Sequence, residues 1–183
     1  MINTGLDLLI EDYYTEAVVS SEDIKNFYED RFNFIVAEVF KPLGQLKSGL
    51  IKDWTTNLFD NSEIKGADQS MYITLAKKWN NRWSRDIQLA VTAAKKLQVN
   101  LNSILAKVDP KANPEWDVDL LKQFYMSVTN IINHLNNAPL FITNPRQNKL
   151  NYLQGIWSYD VNNYYKPITD HLNIIQEIIS KVK

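Results

Sequence analysis

Apolar side chains recur every three or four residues along the middle of the chain. The stripe runs from Tyr72 to Val108 and passes through Trp83 and Leu97, and no proline or glycine interrupts residues 67–108. This spacing is typical of one face of an α-helix. About forty residues at ~1.5 Å each would give a rod of roughly 60 Å. The pattern therefore predicts one long helix over about 68–108, covered along its length by other helices.

A second stripe with the same spacing runs from Ile24 to Leu58 and predicts a helix over about 22–59. A serine of the Ser20-Ser21 pair is the expected cap, with Glu22 and Asp23 in the first turn, where the helix dipole favours acidic groups. Pro42 lies inside this stripe. Because proline lacks an N–H and clashes with the carbonyl four residues back, we expect a kink near Pro42. A short break, giving helices over about 22–40 and 43–59, is the alternative.

Shorter stripes predict the remaining helices. One covers about 4–19, and another starts with Asn113 as its cap and Pro114 at its first position and stops near Asn136. Two more, over about 145–165 and 167–181, are separated at Pro167. Asn100 to Ser103 is the weakest part of the long helix, since asparagine and serine compete for backbone hydrogen bonds. The prediction is an all-α fold: an elongated multi-helix bundle of five to seven helices, two of them long, in a single domain over 1–183.

Composition supports one domain and excludes several classes of protein. The chain has 183 residues and no cysteine, and no apolar run approaches the ~18 residues of a membrane span. No signal peptide is visible at the start, so we expect a cytoplasmic or virion location. The formal net charge of -1 hides an asymmetry, because residues 1–60 carry 11 acidic and 5 basic side chains and residues 61–112 carry 4 and 9. Acidic and basic segments can therefore complement each other, within one subunit or between subunits.

The residues that usually carry chemistry are few. His134 and His171 lie on separate predicted helices, and neither belongs to a His-Glu-x-x-His or Glu-x-x-His pattern. The phosphate-binding glycine loops and the Gly-x-Ser-x-Gly nucleophile motif do not occur. Neighbouring acidic pairs such as Asp117 and Asp119 fit a solvated surface better than acid–base chemistry. We therefore expect no catalytic residues, no cofactor and no metal site.

Candidate contact residues fall into two groups. Cations at helical spacing form a basic face of the long helix, which could meet nucleic acid, the acidic N-terminal segment or solvent. Nucleic acid is disfavoured because the aromatic residues do not interleave with the cations as a stacking platform requires. The basic face comprises Lys78, Arg82, Arg85 and Lys96.

Aromatic residues provide the second group of candidates. Trp79 and Trp83 could anchor a partner, since tryptophan is favoured at interface hot spots, but their place on the apolar stripe favours the core. Better candidates for partner contacts lie near predicted helix ends, where the stripe is ambiguous. They are Trp116, Tyr159, Tyr164 and Tyr165.

Long helices, complementary charge and the absence of a catalytic motif favour a non-catalytic assembly subunit that acts through protein–protein contacts. A bacteriophage or viral virion component, such as a head–tail connector or ring protein, is one concrete version, by analogy of class only. Its partners would be proteins, through self-association or within a larger assembly. The alternatives are a cellular helical partner-binding protein (an adaptor, immunity protein or effector), a nucleic-acid-binding helical protein, and an enzyme with an unrecognised helical site.

Overall fold

The chain is all-helical throughout the described residues of the computed structural model, which are 20–54, 69–111, 114–137 and 150–182. This part has no β-strand, which confirms the predicted all-α class. It contains four continuous helical rods, because the first three helical segments follow one another without a gap. The predicted count of five to seven helices is therefore not confirmed. The segments are α1 (Ser21–Ile35), a π-helical turn (Val36–Phe40), α2 (Lys41–Trp54), α3 (Gln69–Lys107), α4 (Val118–Asn136) and α5 (Leu150–Lys181). The helix predicted over 4–19 lies outside the described residues.

The start of α1 is fixed by a reciprocal pair of hydrogen bonds. The Ser20 hydroxyl accepts from the backbone N–H of Asp23 at 3.1 Å, and the Asp23 carboxylate accepts from the backbone N–H of Ser20 at 3.1 Å. This capping box satisfies two backbone donors that a helix start leaves without intrahelical partners. The predicted serine cap is confirmed, and the structure identifies it as Ser20.

Pro42 does not break the first rod. The residues just before it form a π-helical turn, in which the Lys41 N–H bonds to the Val36 carbonyl five residues back. In a regular α-helix the proline ring would clash with the carbonyl of Glu38, and Glu38 lies inside this wider turn. The break given as the alternative near Pro42 is therefore wrong, because a π turn continues the helix there, and the expected kink stays a prediction.

The α3 helix runs unbroken through Asn100, contrary to the weakness expected there. Asn100 is 6% exposed, and its side-chain oxygen accepts a 2.9 Å hydrogen bond from Nε of Arg31. Arg31 is only 2% exposed, its guanidinium carbon lies 3.5 Å from the Phe27 ring centroid, and it also donates to the Phe27 carbonyl. The amide that could compete with the helix backbone thus links α3 to α1 instead.

Two predicted boundaries were wrong. The α4 helix begins at Val118, because Asp117 caps it by accepting from the N–H groups of Asp119 and Leu120 at 3.0 Å; Pro114 lies in the preceding turn. Pro167 lies within α5, which continues across it. The carbonyl that loses its bond there belongs to Asn163, which is exposed, so water can satisfy it.

The core lies along α3. This helix packs against α4 on one side and against the π turn and α2 on the other, while α5 packs on α4 and α1. The largest fully buried side chains come from α1, the adjacent α2, α3 and α4: Phe27, Tyr28, Ile35, Leu46, Leu97, Leu101, Ile104, Leu121, Phe124, Ile131 and Leu135.

The buried link between Arg31 and Asn100 predicts a measurable difference between two neighbouring asparagines. Asn100→Ala removes an acceptor of a buried charged donor, and we expect it to lower the free energy of unfolding by about 1–3 kcal/mol. Asn102 is exposed on the same helix, so Asn102→Ala should be neutral or slightly stabilising, since alanine favours helix. Urea denaturation of both variants measures the difference, and equal stabilities would contradict a structural role for the buried link.

Candidate functional site

Three of the candidate aromatic residues lie in the interior of the bundle. Trp83, Trp116 and Tyr164 are 4%, 3% and 6% exposed. Trp83 packs against Tyr164 with ring centroids 5.3 Å apart, and Trp116 packs against Phe27 at 5.0 Å. The core interpretation of Trp83 is confirmed. The surface contacts expected at Trp116 and Tyr164 are corrected to core packing, because the bundle covers both side chains.

The other aromatic candidates are less buried or lie outside the described part. Tyr165 is half-buried and donates a 3.4 Å hydrogen bond to the Phe40 carbonyl, which ties α5 to the π turn. The side chains of Trp79 and Tyr159 are outside the described part. An interface at these two residues stays a prediction.

The four cations of the predicted basic face, Lys78, Arg82, Arg85 and Lys96, are all exposed on α3. One carboxylate partly offsets their charge: Asp86 lies 2.9 Å from Arg85 and 3.6 Å from Arg82. The Asp86 carboxylate would compete with a nucleic-acid phosphate for Arg82 and Arg85. This arrangement suits a protein surface of mixed charge better than a continuous track for a nucleic-acid backbone.

A groove with a cavity volume of about 380 Å³ lies between α3 and the rod formed by α1, the π turn and α2. Arg82 and Lys96 both line it, whereas Lys78 and Arg85 are not among its lining residues. We call it the α2–α3 groove. It is lined by Phe34, Glu38, Pro42, Gln45, Arg82, Asp86, Leu89, Thr92, Ala93 and Lys96.

An exposed apolar side chain is the main feature of the α2–α3 groove. Leu89 is 62% exposed although it borders half-buried Phe34 and Pro42 across the groove. Periodicity does not predict a functional role for Leu89, because this residue lies off the core stripe. A signal was present in the sequence: Arg82, Leu89 and Lys96 are spaced by seven residues, which places them in one line along a helix.

Charge around the groove is balanced. Glu38 and Asp86 are acidic and Arg82 and Lys96 are basic, and all four line the groove together with Phe34, Pro42, Leu89 and Ala93. An apolar centre with a mixed polar rim is the usual anatomy of a protein–protein contact. The arrangement can therefore bind a protein surface with a protruding apolar side chain and charges of both signs.

The two histidines of the chain come together between α4 and α5. Nε2 of His134 lies 2.7 Å from the carbonyl oxygen of Tyr164, and the His134 ring stacks on the Tyr164 ring at 4.7 Å. Burial lowers the pKa of His171, and nearby His134 lowers it further, while Asp170 acts in the opposite direction. Nδ1 of His171 is buried and makes no hydrogen bond to the described residues.

The described residues offer neither a metal-binding cluster nor a membrane-spanning helix. Among them, no group of three or more His, Cys, Asp or Glu side chains is placed to hold a metal ion. Within the same ranges, no helix combines the length and apolar character needed to cross a bilayer.

Comparison of the chain with protein families, with curated proteins and with solved structures found no match.

The lowered pKa of His171 predicts a loss of stability in mild acid. Because the unfolded chain binds a proton near pH 6.5 and the folded chain only at lower pH, the free energy of unfolding should fall as pH drops through about 6.5. We expect this fall between pH 7.5 and 5.5 in urea unfolding of the wild type. His171→Gln should reduce it, and an identical pH dependence in that variant would contradict the assignment to His171.

The burial of Trp83 predicts a large cost of truncation. Trp83→Ala should lower the free energy of unfolding by about 3–5 kcal/mol, as is usual for large buried aromatic residues, and Trp83→Phe should cost less. Thermal or urea unfolding measures both. Near-wild-type stability with lost self-association would instead make Trp83 an interface residue.

Proposed function

We propose that the protein is a non-catalytic assembly subunit that acts through protein–protein contacts, and that the α2–α3 groove binds a second copy of the chain. The observation that carries this proposal is the exposure of Leu89 between Arg82 and Lys96 in a groove that Phe34 and Pro42 also line. A leucine held in a groove with charged edges can be buried by a partner while the charges set its orientation.

Charge complementarity favours a second copy as the partner. The basic excess of residues 61–112 lies in the segment that contains α3, and the acidic excess of residues 1–60 lies in the segment that contains α1. Exposed Glu22 and Asp30 of α1 are available to a neighbouring molecule, and Lys96 and Arg85 of α3 are exposed too. Patches of opposite charge on one molecule allow copies of the chain to join head to tail or in a closed ring.

The groove would form the centre of a larger contact. Stable interfaces bury about 800 Å² on each partner, more than a groove of this size offers. The exposed parts of α3 that flank it would supply the rim. That the protein is a virion part, such as a head–tail connector or ring protein, stays a prediction. The alternative, a cellular adaptor, immunity protein or effector, also stays a prediction.

Two exposed aliphatic residues on α3 provide a matched test. Leu89 lines the groove and is 62% exposed, whereas Val99 is 69% exposed and is not among the residues that line it. We expect Leu89→Asp to shift the native mass from an oligomer to the 21.3 kDa monomer, because it places a charge in the apolar centre of the contact. Val99→Asp should keep the oligomer. Native mass spectrometry and light scattering across a salt series measure both, and circular dichroism confirms that both variants fold.

The outcomes separate clearly. A wild-type oligomer that weakens with salt and is lost only in Leu89→Asp would support the groove as the contact. A wild-type monomer at every salt concentration would overturn self-association through this surface. Equal loss in both variants would place the contact elsewhere on α3.

A further inference from the structure

A second cavity lies at the end of the bundle, away from the α2–α3 groove. It has a volume of about 440 Å³ and forms where the start of α1, the turn before α4 and the end of α5 meet. We call it the helix-end cleft. Its apolar walls include Ile24 from α1, Leu120 from α4 and Val182 after α5. A volume of this size is within the range of small-molecule sites in proteins.

One residue that lines the helix-end cleft has a buried hydroxyl with no hydrogen-bond partner in the described part of the chain. It belongs to Tyr28, which is 1% exposed and whose ring packs against Phe27 and Phe124. Such groups are rare in folded proteins, and each one costs about 1–3 kcal/mol. Burial and the nearby carboxylate of Asp117 both raise the pKa of Tyr28, so the phenol stays protonated. The hydroxyl is therefore a neutral group that can accept a hydrogen bond beside an anion.

Two carboxylates border the same cleft and retain oxygen atoms for further hydrogen bonds. Asp117 uses Oδ1 to cap α4, and those bonds do not involve its Oδ2. Glu115 uses Oε2 to accept from the Ser21 hydroxyl at 3.1 Å, which leaves its Oε1. Both side chains are exposed at the mouth of the cleft, whereas Tyr28 lies deep. The Tyr28 side chain and these two carboxylates thus line the same cleft.

We propose that the helix-end cleft binds a primary ammonium group carried on a short aliphatic chain. An ammonium has three N–H donors and no acceptor, which matches the Tyr28 hydroxyl and the free oxygens of Asp117 and Glu115. The aliphatic chain would contact the apolar walls at Ile24 and Leu120. A divalent cation fits less well, since a neutral phenol is not one of the oxygen ligands that calcium and magnesium take.

The same chemistry is offered by a free alkylamine and by a lysine side chain. Titration of the full chain with butylammonium and with 1,4-diaminobutane, at constant ionic strength and followed by calorimetry and by NMR, tests the free amine. 1-Butanol is the uncharged control. Nα-acetyl-lysine amide tests the side chain, and tighter binding of this probe than of butylammonium would identify a lysine-bearing partner as the source.

Three variants separate specific recognition from general charge attraction. Tyr28→Phe removes only the hydroxyl and should fold at least as well as the wild type, because that hydroxyl is buried without a partner. Asp117→Asn removes the charge but keeps a good N-cap. We expect each to weaken ammonium binding by about tenfold or more. Asp119→Asn removes a neighbouring exposed carboxylate that does not line the cleft, and should change the affinity by less than about twofold.

Lys181, which lines the cleft, allows a test of whether the bound group is positively charged. Its side chain is exposed and lines the cavity. Lys181→Ala removes a positive charge, so it should strengthen binding of a cation. Weaker binding of butylammonium in this variant would contradict charge-based recognition of a cation and would overturn the proposal.

Other results would overturn it as well. These are the absence of saturable binding by any of the three amines at millimolar concentration, equal binding of 1-butanol, or equal effects of Asp117→Asn and Asp119→Asn. The test is independent of self-association, because Leu89→Asp changes the α2–α3 groove and leaves the helix-end cleft intact.

Discussion

The apolar stripe of α3 is the constraint on which the rest of the structure depends. The helix has 39 residues and would be about 58 Å long, which is too long for any single neighbour in the described part to cover. From Trp83 to Ile104 its stripe is buried, with α4 on one side and the π turn and α2 on the other. Because burial of apolar surface is the main favourable term in folding, the positions of the surrounding helices follow from the need to cover this stripe.

Polar groups inside this packing align the helices with each other. Arg31 reaches from α1 to Asn100 of α3, and the Tyr164 hydroxyl of α5 donates to the Leu135 carbonyl of α4 at 3.3 Å. A slip of either helix pair by one residue would separate these donors from their acceptors in a region that water does not reach. Hydrophobic contacts alone tolerate such slips more easily, since they lack direction.

The groove and the cleft both arise where the helical rods leave gaps. The α2–α3 groove lies beside the π turn, and π turns are frequent at functional sites because they change the direction of a helix without ending it. The helix-end cleft lies where two helices start and a third ends, so its walls come from three distant parts of the chain. The two sites differ in chemistry: the groove has balanced charge around an exposed leucine, and the cleft has carboxylates at its mouth and a buried phenol at its base.

The sequence by itself determined the features that depend on neighbouring residues. The all-α class, the long helix ending at Lys107, the cap at Ser20 and the burial of Trp83 all follow from periodicity and local hydrogen bonding. Where a local signal competed with packing, the sequence was misleading. Pro167 was expected to interrupt a helix that the structure continues, and the break considered at Pro42 is replaced by a π turn.

Only the tertiary structure decided which polar and aromatic side chains meet. Asn100 weakens a helix when judged alone, yet it supports this one because Arg31 lies across from it. Trp116 follows a turn and was expected at the surface, but the rings of Phe27 and Tyr28 cover it. Both candidate sites join residues far apart in the chain, since a contact between helices depends on how whole faces pack and no local pattern records it.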